Sequence, residues 1–143
     1  MALTQLSVLV NNSQGALADI TGALAANGIN LKALSIADTE HFGILRMIVS
    51  DNLRAVQTLK GLGLIARETE VTGVKIKDEP GELAKALKVL SDAEINLEYL
   101  YAFCSRSEKH AYMVIRVADN SAADRALTAA GFHMIGNEDL LKI

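Results

Sequence analysis

The 143-residue sequence has one cysteine, one proline, no tryptophan, and only three tyrosines and three phenylalanines. A single thiol, Cys104, excludes an internal disulfide framework. No cluster of Cys and His has the spacing of a structural zinc site. No apolar run approaches the roughly 20 residues that span a bilayer, so a membrane partner is not expected. The opening residues Met1-Ala2-Leu3-Thr4-Gln5 carry no basic segment, which argues against a secretory leader and for a cytoplasmic protein. Lys and Arg total 14 against 17 Asp and Glu, a net charge of −3, and this lacks the basic excess of a nucleic-acid surface. The apolar fraction, 50%, is too high for a chain that stays disordered.

Catalytic signatures are missing too. There is no glycine-rich phosphate loop, serine elbow or paired-carboxylate motif. His41, His110 and His133 have no metal-ligand spacing, and the first two fall in expected loops, with His133 at a strand start. No catalytic residue, metal or cofactor is expected.

What is present is a repeat. At an offset of 66, Gly15-Ala16-Leu17-Ala18 matches Gly81-Glu82-Leu83-Ala84, Leu24 matches Leu90, and Ile29-Asn30-Leu31 matches Ile95-Asn96-Leu97. Seven of the seventeen positions from 15 to 31 are identical, where unrelated segments share about one. Farther on the offset is 68, pairing Asp51-Asn52 with Asp119-Asn120, Ala55 with Ala123, Leu59 with Leu127 and Gly63 with Gly131. The second copy therefore has two extra residues between 101 and 118; Met47 with Met113 still fits the shorter offset, and a loop between strands is the natural host. The chain divides into units 1–71 and 72–143, meeting near Val71-Thr72-Gly73.

Each unit reads strand, helix, strand, strand, helix, strand. Leu6, Val8 and Val10 alternate, then Leu17, Ile20, Thr21 and Leu24 share a helix face that Gly28 can end. Ile29–Ala37 and Ile44–Val49 read as strands around a turn at Asp38-Thr39-Glu40-His41. Asp51 caps a second helix with Ala55, Val56 and Leu59 inward, and Leu64–Val71 supplies a last strand. In the second unit Val74 and Ile76 share a strand face, and Leu83, Ala86, Leu87 and Leu90 share a helix face. Ile95, Leu97, Tyr99, Tyr101 and Phe103 alternate along a strand; Tyr112–Val117 and a helix over 119–130 complete the copy. Residues 137–141 are ambiguous between strand and short helix. Right-handed crossovers turn this order into an α+β fold: two ferredoxin-like βαββαβ units, each an antiparallel sheet with its helices on one face.

The informative residues lie between the first strand and first helix of each unit: Asn12-Ser13-Gln14-Gly15-Ala16-Leu17 and Asp78-Glu79-Pro80-Gly81-Glu82-Leu83. One reading is a helix start, with Asn12, Ser13 or Asp78 as side-chain caps and Pro80 in the first turn. The other begins from the same N–H groups, which attract an anion such as a carboxylate while glycine allows close backbone approach. Asn30 and Asn96 head the next strand, and an amide can meet either end of an amino acid; they can equally shape a turn.

Asp78-x-Pro80-Gly81-x-Leu83, followed by Leu90 and Ile95-Asn96-Leu97, resembles the opening of an ACT domain. The likeness covers nearly the whole chain as two copies, similar to stand-alone bacterial tandem-ACT proteins through Asn96-Leu97-Glu98-Tyr99-Leu100-Tyr101-Ala102-Phe103. The resemblance implies the fold derived above, amino-acid binding between two domains, and regulation of amino-acid metabolism. It makes residues 12–17 and 78–83, with Asn30 and Asn96, the candidate ligand contacts. The first unit departs from the pattern, with Gln14 for the proline and Asn12 for the aspartate.

In this topology the second strand is an edge, and an exposed apolar edge invites another strand. A homodimer is therefore expected, with a metabolic enzyme as a further partner. Tyr99, Tyr101, Phe103 and Tyr112 fall in one hairpin, as a packed face or as a wall for a ligand; Tyr99 and Tyr101 have hydroxyls suited to a polar ligand. Arg46 interrupts an apolar strand and needs a partner such as Asp38, Asp51 or a ligand carboxylate. The chain thus reads as an amino-acid or small-carboxylate sensor, the alternative being a pairing module or the regulatory subunit of a separate enzyme.

Overall fold

The computed structural model describes residues 2–38, 41–105, 107 and 109–143. Residues 5–69 form one compact unit; residues 70–143 form the other and include the first few residues of the chain. Two residues of the expected turn at 38–41, Thr39 and Glu40, lie outside the described residues. Among the described residues no helix is long and apolar enough to cross a membrane.

The first unit contains β1 (Leu3–Asn11), α1 (Ala16–Ala26), β2 (Leu31–Asp38), β3 (Phe42–Val49) and α2 (Asn52–Gly61), followed by β4 (Ala66–Lys77). Strand order is β2-β3-β1-β4. β3 pairs antiparallel with β1, with Val8 opposite Leu45, and with β2, with Ile36 opposite Leu45. Alternation places Leu6, Val8, Val10, Leu45 and Met47 on one face, where they pack with Ile20 and Leu24 of α1 and Ala55 and Leu59 of α2. Both helices therefore cover one side of the sheet.

The second unit continues with α3 (Glu82–Asp92), β5 (Tyr99–Ala102), β6 (His110–Arg116), α4 (Asn120–Ala129), β7 (His133–Ile135) and a terminal 3₁₀ helix (Asn137–Lys142). β6 pairs with β4 and β5, and β7 with β4, giving β7-β4-β6-β5. Val74, Ile76, Met113 and Ile115 meet Ala86 and Leu90 of α3 and Ala123 and Leu127 of α4. The two βαββαβ units and their one-sided helices agree with the sequence reading.

Several details differ from it. Residues 66–77 are one strand without a break at Thr72-Gly73. β5 is shorter than the alternation over 95–103 indicates, because the chain first closes α3 through Ile95 N–H to Leu90 O and meets β6 only from the Glu98 N–H to Arg116 O bond onward. β2 likewise starts at Leu31, not Ile29, whose N–H bonds Leu24 O. His110 opens β6 and is not in a loop. Residues 137–142 are helical.

Strand register locates the two-residue insertion. Ala37 pairs with Ile44, and Phe103 N–H bonds Tyr112 O, so the offset is 66 on β5 and already 68 on β6. Asn12 N–H bonds His41 O while Asp78 N–H bonds Lys109 O, giving 68 again at Lys109. The extra residues fall within 104–108, between the strands. The counterpart of Met47 is Ile115, so its match with Met113 is accidental: Leu6 pairs Met47, and Thr72 pairs Ile115.

Candidate functional site

The four helix starts divide into two kinds. α2 and α4 are capped by aspartate side chains: Asp51 accepts from Arg54 N–H at 3.1 Å and Asp119 from Ala122 N–H at 3.0 Å. α1 and α3 instead begin on left-handed glycines, Gly15 at φ 82° and Gly81 at φ 87°, with no side-chain cap. Asn12, Ser13 and Asp78 thus do not cap these helices, contrary to the helix-start reading. The left-handed turn carries the backbone away from the extended geometry that directs a cap side chain at the N–H groups. Backbone bonds close the turns: Ala16 N–H to Ser13 O at 3.3 Å and Ser13 N–H to Asn11 O at 2.9 Å in the first, and Glu82 N–H to Glu79 O at 3.3 Å in the second. The following N–H groups have no side-chain cap at the positive helix end, where an anion is favoured.

Both turns are held in the same way. Asn12 N–H donates to His41 O at 3.1 Å, and Asp78 N–H donates to Lys109 O at 2.9 Å, so each turn is fastened to the connection between the second and third strands of its unit. Asn12, Ser13, Gln14 and Gly15 are exposed, as are Asp78, Glu79, Pro80 and Gly81; Ala16, Leu17, Glu82 and Leu83 are half-buried.

In the first unit the turn borders a hollow of about 120 Å³ lined by Asn12, Ser13, Ala16 and Leu17 together with Ile36 and Asp38. Ile36 and Asp38 join it because β2 runs back along α1 and ends beside the helix start. This puts an acidic residue in the same hollow as the uncapped helix start, a pairing of the kind that suits the two charged ends of an amino acid. Sequence reasoning considered Asp38 only as a partner for Arg46; the signal for this placement is the reversal of direction between α1 and β2. In the second unit the residue after Phe103 is Cys104, exposed and free, so no acid stands there. Its turn carries Glu82 instead. Lys85 Nζ donates to Glu82 Oε1 at 2.8 Å, and this bond holds the Glu82 carboxyl below its ordinary pKa and raises that of Lys85.

Asn30 and Asn96 do not join the turns of their own units. Asn30 N–H donates to Ser50 Oγ at 2.9 Å, and its carbonyl accepts Ser50 N–H at 2.9 Å, beside the C-terminal end of α1. Asn96 lies with Leu87, Ser91 and Glu94 at the corresponding end of α3. Each helix has eleven residues, so amide and turn are separated by about 16 Å, beyond the reach of one amino acid.

Tyr99 and Tyr101 stack with ring centroids 6.5 Å apart, and Phe103 meets Tyr112 edge-on at 6.3 Å. Tyr101 and Phe103 are buried and Tyr99 is half-buried. Arg46 is half-buried and engaged. Among the described residues no group of three or more His, Cys, Asp or Glu is placed to hold a metal ion.

The chain belongs to the ACT-domain-pair family, whose pattern matches residues 1–143. No curated protein matches the sequence. A crystal structure of a protein from Bacteroides thetaiotaomicron is 36% identical, covers 100% of this chain and 98% of its own, and superposes with a TM-score of 0.91. The ligand-free regulatory subunit of aspartate kinase from Thermus thermophilus is 20% identical over 90% of this chain and 92% of its own, with a TM-score of 0.68. Aspartate kinase from Synechocystis, 22% identical, covers 90% of this chain but 26% of its own length, with a TM-score of 0.58. At these identities the last two share the fold.

Proposed function

We propose that this ACT domain pair is a cytoplasmic amino-acid sensor that regulates amino-acid metabolism and has no catalysis of its own. The observation that carries this reading is the contrast between helix starts. Asp51 and Asp119 cap α2 and α4, while α1 and α3 both start on left-handed glycines with their N–H groups left to another partner. The α-carboxylate of the ligand sits on the N–H groups after Gly15, and its ammonium group faces Asp38. The turn at 78–83 offers the same N–H groups but adds Glu82, which disfavours a carboxylate despite its bond to Lys85. The two halves are therefore unequal, and the first binds more tightly.

Asn30 and Asn96, a helix length from their own turns, contribute from a second copy of the chain. The exposed apolar residues of edge strand β2, Leu34 at 37% and Ile36 at 49%, favour such pairing. Light scattering is expected to show a dimer, and a monomer at every working concentration would sink the shared-site arrangement. The same exposed edge favours a second reading, a pairing module or a regulatory subunit without its own ligand. The likeness to a regulatory subunit of aspartate kinase fits either reading, with a metabolic enzyme as the regulated partner.

A thermal-shift screen of the proteinogenic amino acids, followed by calorimetry on the best, separates the readings. At 100 times its dissociation constant a ligand stabilises the folded state by about 2.7 kcal/mol, a rise of several degrees in Tm. One or a few related amino acids are expected to give that rise. If none does, the sensor fails and the pairing module stands.

A further inference from the structure

One corner of the second unit is basic although the whole chain has a net charge of −3. Lys75 and Lys77 of β4, Lys85 of α3, His110 of β6 and His133 of β7 surround a hollow of about 570 Å³, the size of a small-molecule site. Three of the chain's eight lysines and two of its three histidines stand there. Glu82 is the one acid in the lining, and it is already held by Lys85. The lysines therefore outnumber the acid in the lining, and Glu79 of the preceding turn also acts on Lys85.

Strand register produces the crowding. Lys75 is opposite His133 and Lys77 is opposite His110, so all four side chains leave the same face of the sheet. Glu82 feels Lys77 as well as Lys85, while among the described residues no ion pair is formed by Lys75. An imidazole carries no negative charge with which to offset a lysine facing it. Ile76, Val89 and Phe132 supply an apolar part of the wall.

The fold does not require this charge, because the first unit repeats the backbone without it. The counterparts of Lys75, Lys77 and Lys85 at the offset of 66 are Leu9, Asn11 and Asp19; those of His110 and His133 at 68 are Phe42 and Ile65. None is basic. Leu9, Phe42 and Ile65 are exposed hydrophobics, so the corner tolerates uncharged residues in the same setting.

We infer that this hollow is a second ligand site, for a small organic anion carrying two or more negative charges on phosphate or carboxylate groups. Lys75 and Lys77 bind the charged groups from the sheet face away from α3, His110 and His133 hydrogen-bond to them, and Lys85 and the apolar wall line the hollow from the α3 side. None of these basic residues belongs to the amino-acid hollow at 12–17. The hollow shares Glu82 with the turn at 78–83, so an effector bound here competes with amino acid at that weaker turn and leaves the hollow at 12–17 free.

Calorimetry on the full chain at low salt tests this with pyrophosphate and citrate as separate probes. Saturable heat is expected with at least one, and which one responds distinguishes phosphate from carboxylate recognition. Lys75→Ala/Lys77→Ala should weaken binding about tenfold or more, as should His133→Gln to a smaller extent. Lys32→Ala/Lys60→Ala, which removes the same charge from the first unit, should leave binding within about twofold. No heat with either anion, or equal weakening by the remote pair, overturns the site. The Lys75→Ala/Lys77→Ala protein should keep its amino-acid thermal shift, so this proposal and the sensor reading fail separately.

Discussion

Gly15→Val is expected to abolish the amino-acid response while the protein stays folded. Gly15 has φ 82°, and a Cβ built there meets nothing within 4 Å, so the difficulty is conformational and not a clash. An L-residue in the left-handed region costs about 1–2 kcal/mol, more when it is β-branched. The chain can accept that strain, or it can relax the turn to negative φ and redirect the N–H groups that follow. Relaxation removes the anion contact, whereas the strain is a modest share of the roughly 5–15 kcal/mol that holds a domain together. Calorimetry should therefore show amino-acid affinity lost, with Tm lowered by about 4–8 °C per kcal/mol. Gly15→Asn is the informative companion, because asparagine tolerates the left-handed region, and it should retain much of the binding. Gly81→Val, at φ 87° in the other turn, should have the smaller effect on affinity because Glu82 already weakens that turn. Normal binding by Gly15→Val would show that the turn is not the site.

Leu127→Ala is expected to have the largest effect on stability. Its side chain is 0% exposed on α4 and packs among Val74, Leu90, Ile115 and Met134. Removing a buried leucine loses both its transfer free energy and its packing, about 2–5 kcal/mol. A unit of this size has little reserve, since small domains bury a smaller share of their surface. Urea unfolding should show a lower midpoint, and Leu59→Ala, at the matching position of α2, should behave alike. Ile65→Ala, at a residue 88% exposed, should change stability by less than about 0.5 kcal/mol. A loss below about 1 kcal/mol for Leu127→Ala would contradict the packing described.

The fold was legible because it is written twice. Identities at offsets of 66 and 68 marked corresponding elements, and the inward stripes of α1 and α3 followed from residues three and four apart. Less legible was Gly73, close to where the two halves meet. It lies inside β4, where an added Cβ would stand 2.6 Å from Ile135 Cγ1 and 2.9 Å from Leu3 Cδ2. That glycine admits neighbours distant in sequence, and local pattern cannot distinguish such a role from a turn. The shortened β5 has a similar cause. Alternation over 95–103 reports which side chains turn inward, not where the backbone first meets a partner strand.

The site was half legible. Its glycine turns stood out as repeated motifs, yet the same residues served equally for capping helices. Side-chain caps on α2 and α4 and their absence on α1 and α3 remove the capping use, and only coordinates show this. The arrival of Asp38 at the first turn and the 16 Å separation of Asn30 from it both follow from β2 reversing the direction of α1. The basic corner likewise exists only through strand pairing, because Lys75 meets His133 across 58 positions of sequence.

By itself the sequence determined the duplication, the α+β order of each unit, the helix faces and the family likeness, because periodicity and repetition are local properties of a chain. Tertiary structure decided which ends meet, which turns stay uncapped and which charges crowd together. Those depend on chain direction and register, and a shift of one residue in register reverses the face every side chain takes.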